Sequence, residues 1–94
     1  MIKRLFLLTV FFFAIGAVSN AQNRLLNKAN EQYGDYSFSP AIDIYKRVLD
    51  RGYTSADLLM KLGNSYYFNA DYKGASEIYG KLMEEYPSEI GPEY

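Results

Sequence analysis

A 34-residue offset constrains this chain more than any other feature. Sliding the sequence against itself by 34 positions sets Asn30 on Asn64, Tyr33 on Tyr67, Ala41 on Ala75, Ile44 on Ile78 and Tyr45 on Tyr79. Leu25 falls on Leu59, Ala29 on Gly63, Phe38 on Tyr72 and Val48 on Leu82, and no gap is needed. The agreement lies mostly in apolar and small positions, as expected of a packing unit that recurs and stacks on its neighbour.

Each unit reads as two helices. In the second, Thr54 or Ser55 can cap a helix running to about Phe68, with Asp57 in its favourable first turn. Asn69 to Asp71 makes the turn, and Asp71 can cap a helix running to about Glu85, which Pro87 stops. In the first unit a helix spans about Asn23 to Tyr33. A turn follows, and Ser39 is the expected N-cap with Pro40 at the first helical position. That helix runs to Arg51, with Gly52 placed to end it. Gly63 sits in a helix interior, where glycine costs about 1 kcal/mol relative to alanine. The expected reason is close approach: Gly63 and Ala75 would stand where the helices come nearest, with Tyr66, Tyr79 and Leu82 filling the space around them.

Before the first unit, Lys3 and Arg4 precede an apolar run from Leu5 to Val18, and Ser19 and Ala21 are the small residues of a cleavage site. This reads as a secretory signal peptide over 1–21, cut after Ala21. The run falls short of the ~20 residues that span a bilayer. What remains carries eight Lys/Arg against eleven Asp/Glu. The expected divisions are therefore 1–21, a first unit over 22–53, a second over 54–87, and the start of a third over 88–94. Two units and a stub make a small core, so the segment is expected to be a fragment of a longer exported protein.

Composition excludes several function classes. The chain has no Cys and no His. That removes disulfides, thiolate sites, the usual acid–base residue and the commonest metal ligand. Glu84 and Glu85 are adjacent, so they do not face one another on a helix. There is no phosphate-cradling glycine loop. No catalytic, cofactor-binding or metal-binding residue is expected. Near-balanced charge gives no reason to expect a nucleic-acid partner.

The second unit carries Leu59, Leu62, Gly63, Tyr66, Ala75, Tyr79 and Pro87. At these spacings it resembles the tetratricopeptide repeat, with Leu and Tyr standing for the usual Trp and Phe. The first unit keeps Leu25, Ala29, Ala41 and Tyr45 but has Lys28, Gln32 and Tyr53 where Leu, Tyr and Pro are usual. The resemblance implies an all-α fold of helical hairpins, an α-solenoid of two repeats and the start of a third, preceded by the signal-peptide helix. It implies a concave groove lined by the first helix of each unit. Carried over residue by residue, the groove positions are Leu26, Asn30 and Tyr33, then Met60, Asn64 and Tyr67.

Asn and Tyr recur there without being part of the packing motif. An Asn amide offers an acceptor and two donors to an extended backbone, and Tyr offers a flat face with a polar tip. Members of the family that grip a terminal carboxylate add Lys at the positions of Leu26 or Met60, which points here to a more apolar peptide. The alternative is that Asn30 and Asn64 bridge neighbouring units while the tyrosines pack. Tyr36, Phe38, Phe68 and Tyr72 gather near the turns, where they read as hairpin-tip packing or as a patch meeting another domain.

The signal ending in Asn20-Ala21-Gln22, followed by a tyrosine-rich repeat, is also similar to the N-terminus of exported OmpA-family envelope proteins of Bacteroidetes-type bacteria. That resemblance implies a periplasmic or outer-membrane-associated docking arm. Peptidoglycan would be bound only by domains absent from these residues. Two function readings follow: a protein–protein interaction module, or a spacer or cap with no ligand of its own.

Overall fold

A computed structural model describes residues 20–89, which are all-helical, with no strand among the described residues. Helix α1 is described over 20–34, α2 is Phe38–Asp50, α3 is Ala56–Phe68 and α4 is Tyr72–Glu85. A single 3-10 turn, Pro87–Glu89, follows. Helix α1 is already helical at residue 20, ahead of the expected start. Residues 1–19 of the expected signal sequence and 90–94 of the expected third unit lie outside the described residues, while residues 20 and 21 are helical and continue into α1.

The 34-residue offset reappears in backbone geometry. Tyr36 and Ala70 both adopt φ of 62°, in the left-handed region. Each sits just past a helix and closes it in the same way. Tyr36 N–H donates to Tyr33 O at 3.1 Å and Ser37 N–H to Gln32 O at 2.8 Å. Ala70 N–H donates to Tyr67 O at 3.0 Å and Asp71 N–H to Tyr66 O at 2.9 Å. These paired bonds satisfy carbonyls that a helix end otherwise leaves open, as in a Schellman cap. Gly52, at φ 93°, ends α2 with the equivalent bonds to Leu49 and Val48, as expected.

A left-handed conformation costs a non-glycine residue about 1–2 kcal/mol. Ala70 is exposed and its side chain supports nothing, so Ala70→Gly is expected to stabilise the fold by about 0.5–1 kcal/mol, net of glycine's greater freedom when unfolded. Thermal unfolding checks this: the midpoint should rise by a few degrees.

Two N-caps are as expected. The Ser55 hydroxyl accepts from Leu58 N–H at 3.1 Å, and Asp71 Oδ1 accepts from Gly74 N–H at 2.9 Å. The cap of α2 is not. Ser37, not Ser39, is the N-cap, and Pro40 lies in the third helical position rather than the first. The reason is the preceding turn. Its second bond uses Ser37 N–H, and Ser37 O already accepts from Ala41 N–H at 3.2 Å. Ser37 makes no side-chain cap bond. Its partner by the 34-residue offset, Asp71, caps Gly74, and the residue equivalent to Gly74 is Pro40, which has no N–H to donate.

One cluster of buried side chains joins Ala29 on α1, Ala41, Ile42, Ile44, Tyr45 and Val48 on α2, Leu58, Leu59 and Leu62 on α3, and Leu82 on α4. Helix α3 packs against both α2 and α4. Gly63 faces the Tyr79 ring, and a Cβ there would stand 2.5 Å from Tyr79 Cε1. Tyr79 thus fills the space at Gly63, as expected. Ala75 is buried, but the second small residue under a ring is Gly74, where a Cβ would come 2.8 Å from Cδ1 of Tyr66. Each helix of the second hairpin thus lends a tyrosine ring to a glycine of the other. No helix among the described residues is long and apolar enough to cross a membrane.

Candidate functional site

Leu26, Asn30 and Tyr33 recur at i, i+4 and i+7 on α1, and Met60, Asn64 and Tyr67 do the same on α3, so each triplet shares one helix face. The structure joins the two triplets at one point: Asn64 Nδ2 donates to the Tyr33 hydroxyl at 3.2 Å. Lys61 Nζ sits 6.0 Å from the centroid of the Tyr33 ring, at the outer edge of cation–π distance. The same ammonium is 3.0 Å from Asp57 Oδ2, a helical i, i+4 pair.

Both asparagines are engaged inside the chain. Tyr45 Oη donates to Asn30 Oδ1 at 2.6 Å, and Tyr79 Oη donates to Asn64 Oδ1 at 2.5 Å. The two bonds are 34 residues apart at both ends, so one polar device is built twice. Each ties the first helix of a hairpin to the second. Asn64 goes further, because its amide nitrogen reaches Tyr33 and so links α4, α3 and α1. The pairing carries a sequence signal that went unread: Asn and Tyr recur together, 15 residues apart, in both units.

Replacing Asn64 by alanine deletes two hydrogen bonds, each with a net worth of about 1 kcal/mol. Asn64→Ala is therefore expected to destabilise by about 2 kcal/mol, measured by urea unfolding. Asn30→Ala, which deletes one, should cost about half as much.

The phenols that make these bonds are held neutral. Burial pushes the Tyr45 hydroxyl well above its ordinary value, with Asp57 and Tyr33 adding to the shift. Burial also raises Tyr79, with Tyr33 and Tyr67 contributing. A phenol with a raised folded-state value contributes stability that is fully present below its unfolded value of about 10 and lost as pH rises through the folded value. Urea midpoints should be flat through neutral pH and fall above about pH 10, and Tyr45→Phe should blunt the fall.

What the groove positions leave accessible is apolar and aromatic. Met60 is 46% exposed and Tyr67 53%, whereas Leu26, Asn30, Tyr33 and Asn64 are half-buried. A run of ring contacts leads from the face to the turns. Tyr33 meets Phe38 edge-on at 5.9 Å, Phe38 stacks on Phe68 at 5.1 Å, and Tyr67 meets both Phe68 and Tyr72 edge-on. Tyr36 packs edge-on against Phe38. Ser65 is fully buried and donates to Lys61 O at 2.7 Å, one helical turn back. Among the described residues no group of three or more acidic, His or Cys side chains could hold a metal ion. In comparison with known proteins, the chain matches no family model and no curated protein.

Proposed function

We propose that this chain is an exported docking module of the tetratricopeptide type, acting in the periplasm or at the outer membrane as part of a larger peptidoglycan-associated protein. The recurrence of turn conformation, helix closure and Tyr–Asn bonding at 34 residues supports the repeat reading. The docking reading is carried by one observation: α3 keeps two large apolar side chains, Met60 and Tyr67, accessible on the face it shares with Asn64. With both Asn amides engaged internally, that face suits an apolar peptide better than a carboxylate. The spacer reading draws on the same bonds, which show the asparagines holding helices together.

A photo-crosslinking residue placed at Met60, in cells that export the chain, separates the two. Docking predicts an adduct of discrete mass at Met60 and none at Asp43, an exposed α2 position. No adduct at Met60, or equal adducts at both positions, would overturn docking and leave the spacer.

A further inference from the structure

An aromatic edge stays open at a junction that is already complete. Tyr36, in the turn after α1, is 81% exposed and packs edge-on against Phe38. Phe38 stacks on Phe68, which is itself 60% exposed. Stacking of units does not account for these rings. The Phe38–Phe68 contact joins the two hairpins, and Tyr36 remains open with that contact made. By the 34-residue offset Phe68 corresponds to Gly34, which has no neighbouring atom within 4 Å of an added Cβ although a second hairpin follows it. Tyr67 and Tyr72 belong to a different case. Their equivalents Tyr33 and Phe38 meet α3, and a following unit would meet them in the same way.

The residues around this edge work against the isolated fold. Tyr36 holds a bulky side chain at φ 62°, where glycine is favoured. Asp35 N–H donates to Glu31 O at 3.0 Å, which sets two exposed carboxylate residues one helical turn apart. Like charges at that spacing repel, and the C-terminal end of α1 is also where the helix dipole disfavours negative charge. Among the described residues neither carboxylate has an ion-pair partner. The turn after α3 has the same φ and the same closing bonds, with Ser65, Asn69 and Ala70 at the equivalent positions. The backbone therefore requires neither the Tyr36 ring nor the two charges.

We propose that this edge docks an arginine-bearing, extended segment of a partner protein, with the guanidinium stacked on Tyr36 and bonded to Asp35. A cation answers every unfavourable choice at once. It relieves the repulsion between carboxylates, suits the helix end, and is drawn to the face of an exposed ring. Arginine fits better than lysine, because its planar group both stacks on a ring and forks onto a carboxylate. Phe38 and Phe68 offer apolar surface to the rest of the segment. The same charges argue against a second copy paired through this edge, since two acidic turns would meet. The inference does not rest on the groove: Met60 takes no part in it.

The probe is the synthetic peptide acetyl-Ala-Arg-Ala-Arg-Ala-amide, added at low salt to the chain as purified from an exporting cell. NMR should show saturable shifts of the Tyr36 and Phe38 ring signals, with Met60 unmoved. The same peptide with citrulline for arginine keeps the planar group but loses the charge, and should produce none. Tyr36→Gly, which relieves the left-handed conformation and whose fold circular dichroism can verify, should weaken binding about fivefold. Asp35→Asn should weaken it about threefold, and added salt should weaken it further.

Five outcomes would each overturn the proposal. Equal shifts from the citrulline peptide would make the occupant uncharged. An absence of saturable shifts at either ring, or shifts confined to Met60, would leave the edge without this ligand. Shifts of Tyr36 that depend on protein concentration before peptide is added would make a second copy the occupant. Contacts from Tyr36 to this chain's own residues outside 20–89 would mean that the edge is already covered. Failure of the groove reading is separate, because it is read by crosslinking at Met60.

Discussion

Tyr45→Ala is expected to remove most of the stability of this fold. The ring is fully buried, and its hydroxyl donates to Asn30 at 2.6 Å. Truncating a buried aromatic typically costs about 3–5 kcal/mol, through lost transfer free energy and the cavity left behind. The lost hydrogen bond adds about 1 kcal/mol. A domain of this size has about 4–10 kcal/mol in total. Urea unfolding should show a midpoint near zero denaturant for Tyr45→Ala. Tyr45→Phe keeps the ring and should lose only about 1–2 kcal/mol. A Tyr45→Ala protein that unfolds within about 1 kcal/mol of the parent would show that the α1–α2 contact is not part of the cooperative core.

Gly63→Leu is the second large effect, expected at about 3 kcal/mol, the upper end for overpacking. The Tyr79 ring lies where even the first side-chain carbon would go. It cannot swing away freely, because its hydroxyl is bonded to Asn64 on the same helix as Gly63. Gly63→Ala is the informative control. Ala29 holds the equivalent position in the first unit and is fully buried in the cluster that contains Tyr45, whose bond to Asn30 is intact, so a methyl group at this position is compatible with the Tyr–Asn bond. The gain of about 1 kcal/mol in helix propensity should then roughly offset the shift of the ring. Equal stability losses for Ala and Leu would show that the close contact does not set the size limit.

Where the structure follows local rules, the sequence was readable. Ser55 and Asp71 cap as their side chains dictate, Gly52 takes the left-handed position that glycine accepts most easily, and α3 and α4 end where expected. The start of α2 was misread because two rules competed there. Proline favours the first helical position, but Ser37 was already committed to closing α1. The Tyr66–Gly74 contact was invisible for a different reason. It depends on how two helices are set against each other, and Gly74 breaks no periodicity. At the candidate site, residue types and helix faces were legible. The bonds of Asn30 to Tyr45 and of Asn64 to Tyr79 were not, because they lie across a hairpin, whereas the Asn64–Tyr33 bond matches the alternative in which an asparagine bridges neighbouring units.

The Asn64 amide has a consequence for how the molecule comes apart. Its oxygen holds one end of the chain's described helices and its nitrogen the other, from Tyr79 on α4 to Tyr33 on α1. Fraying of either terminal helix therefore withdraws a partner from the same side chain. Opening at one end loosens the other, so amide protons of α1 and α4 should exchange with solvent at correlated rates and not as two independent hairpins.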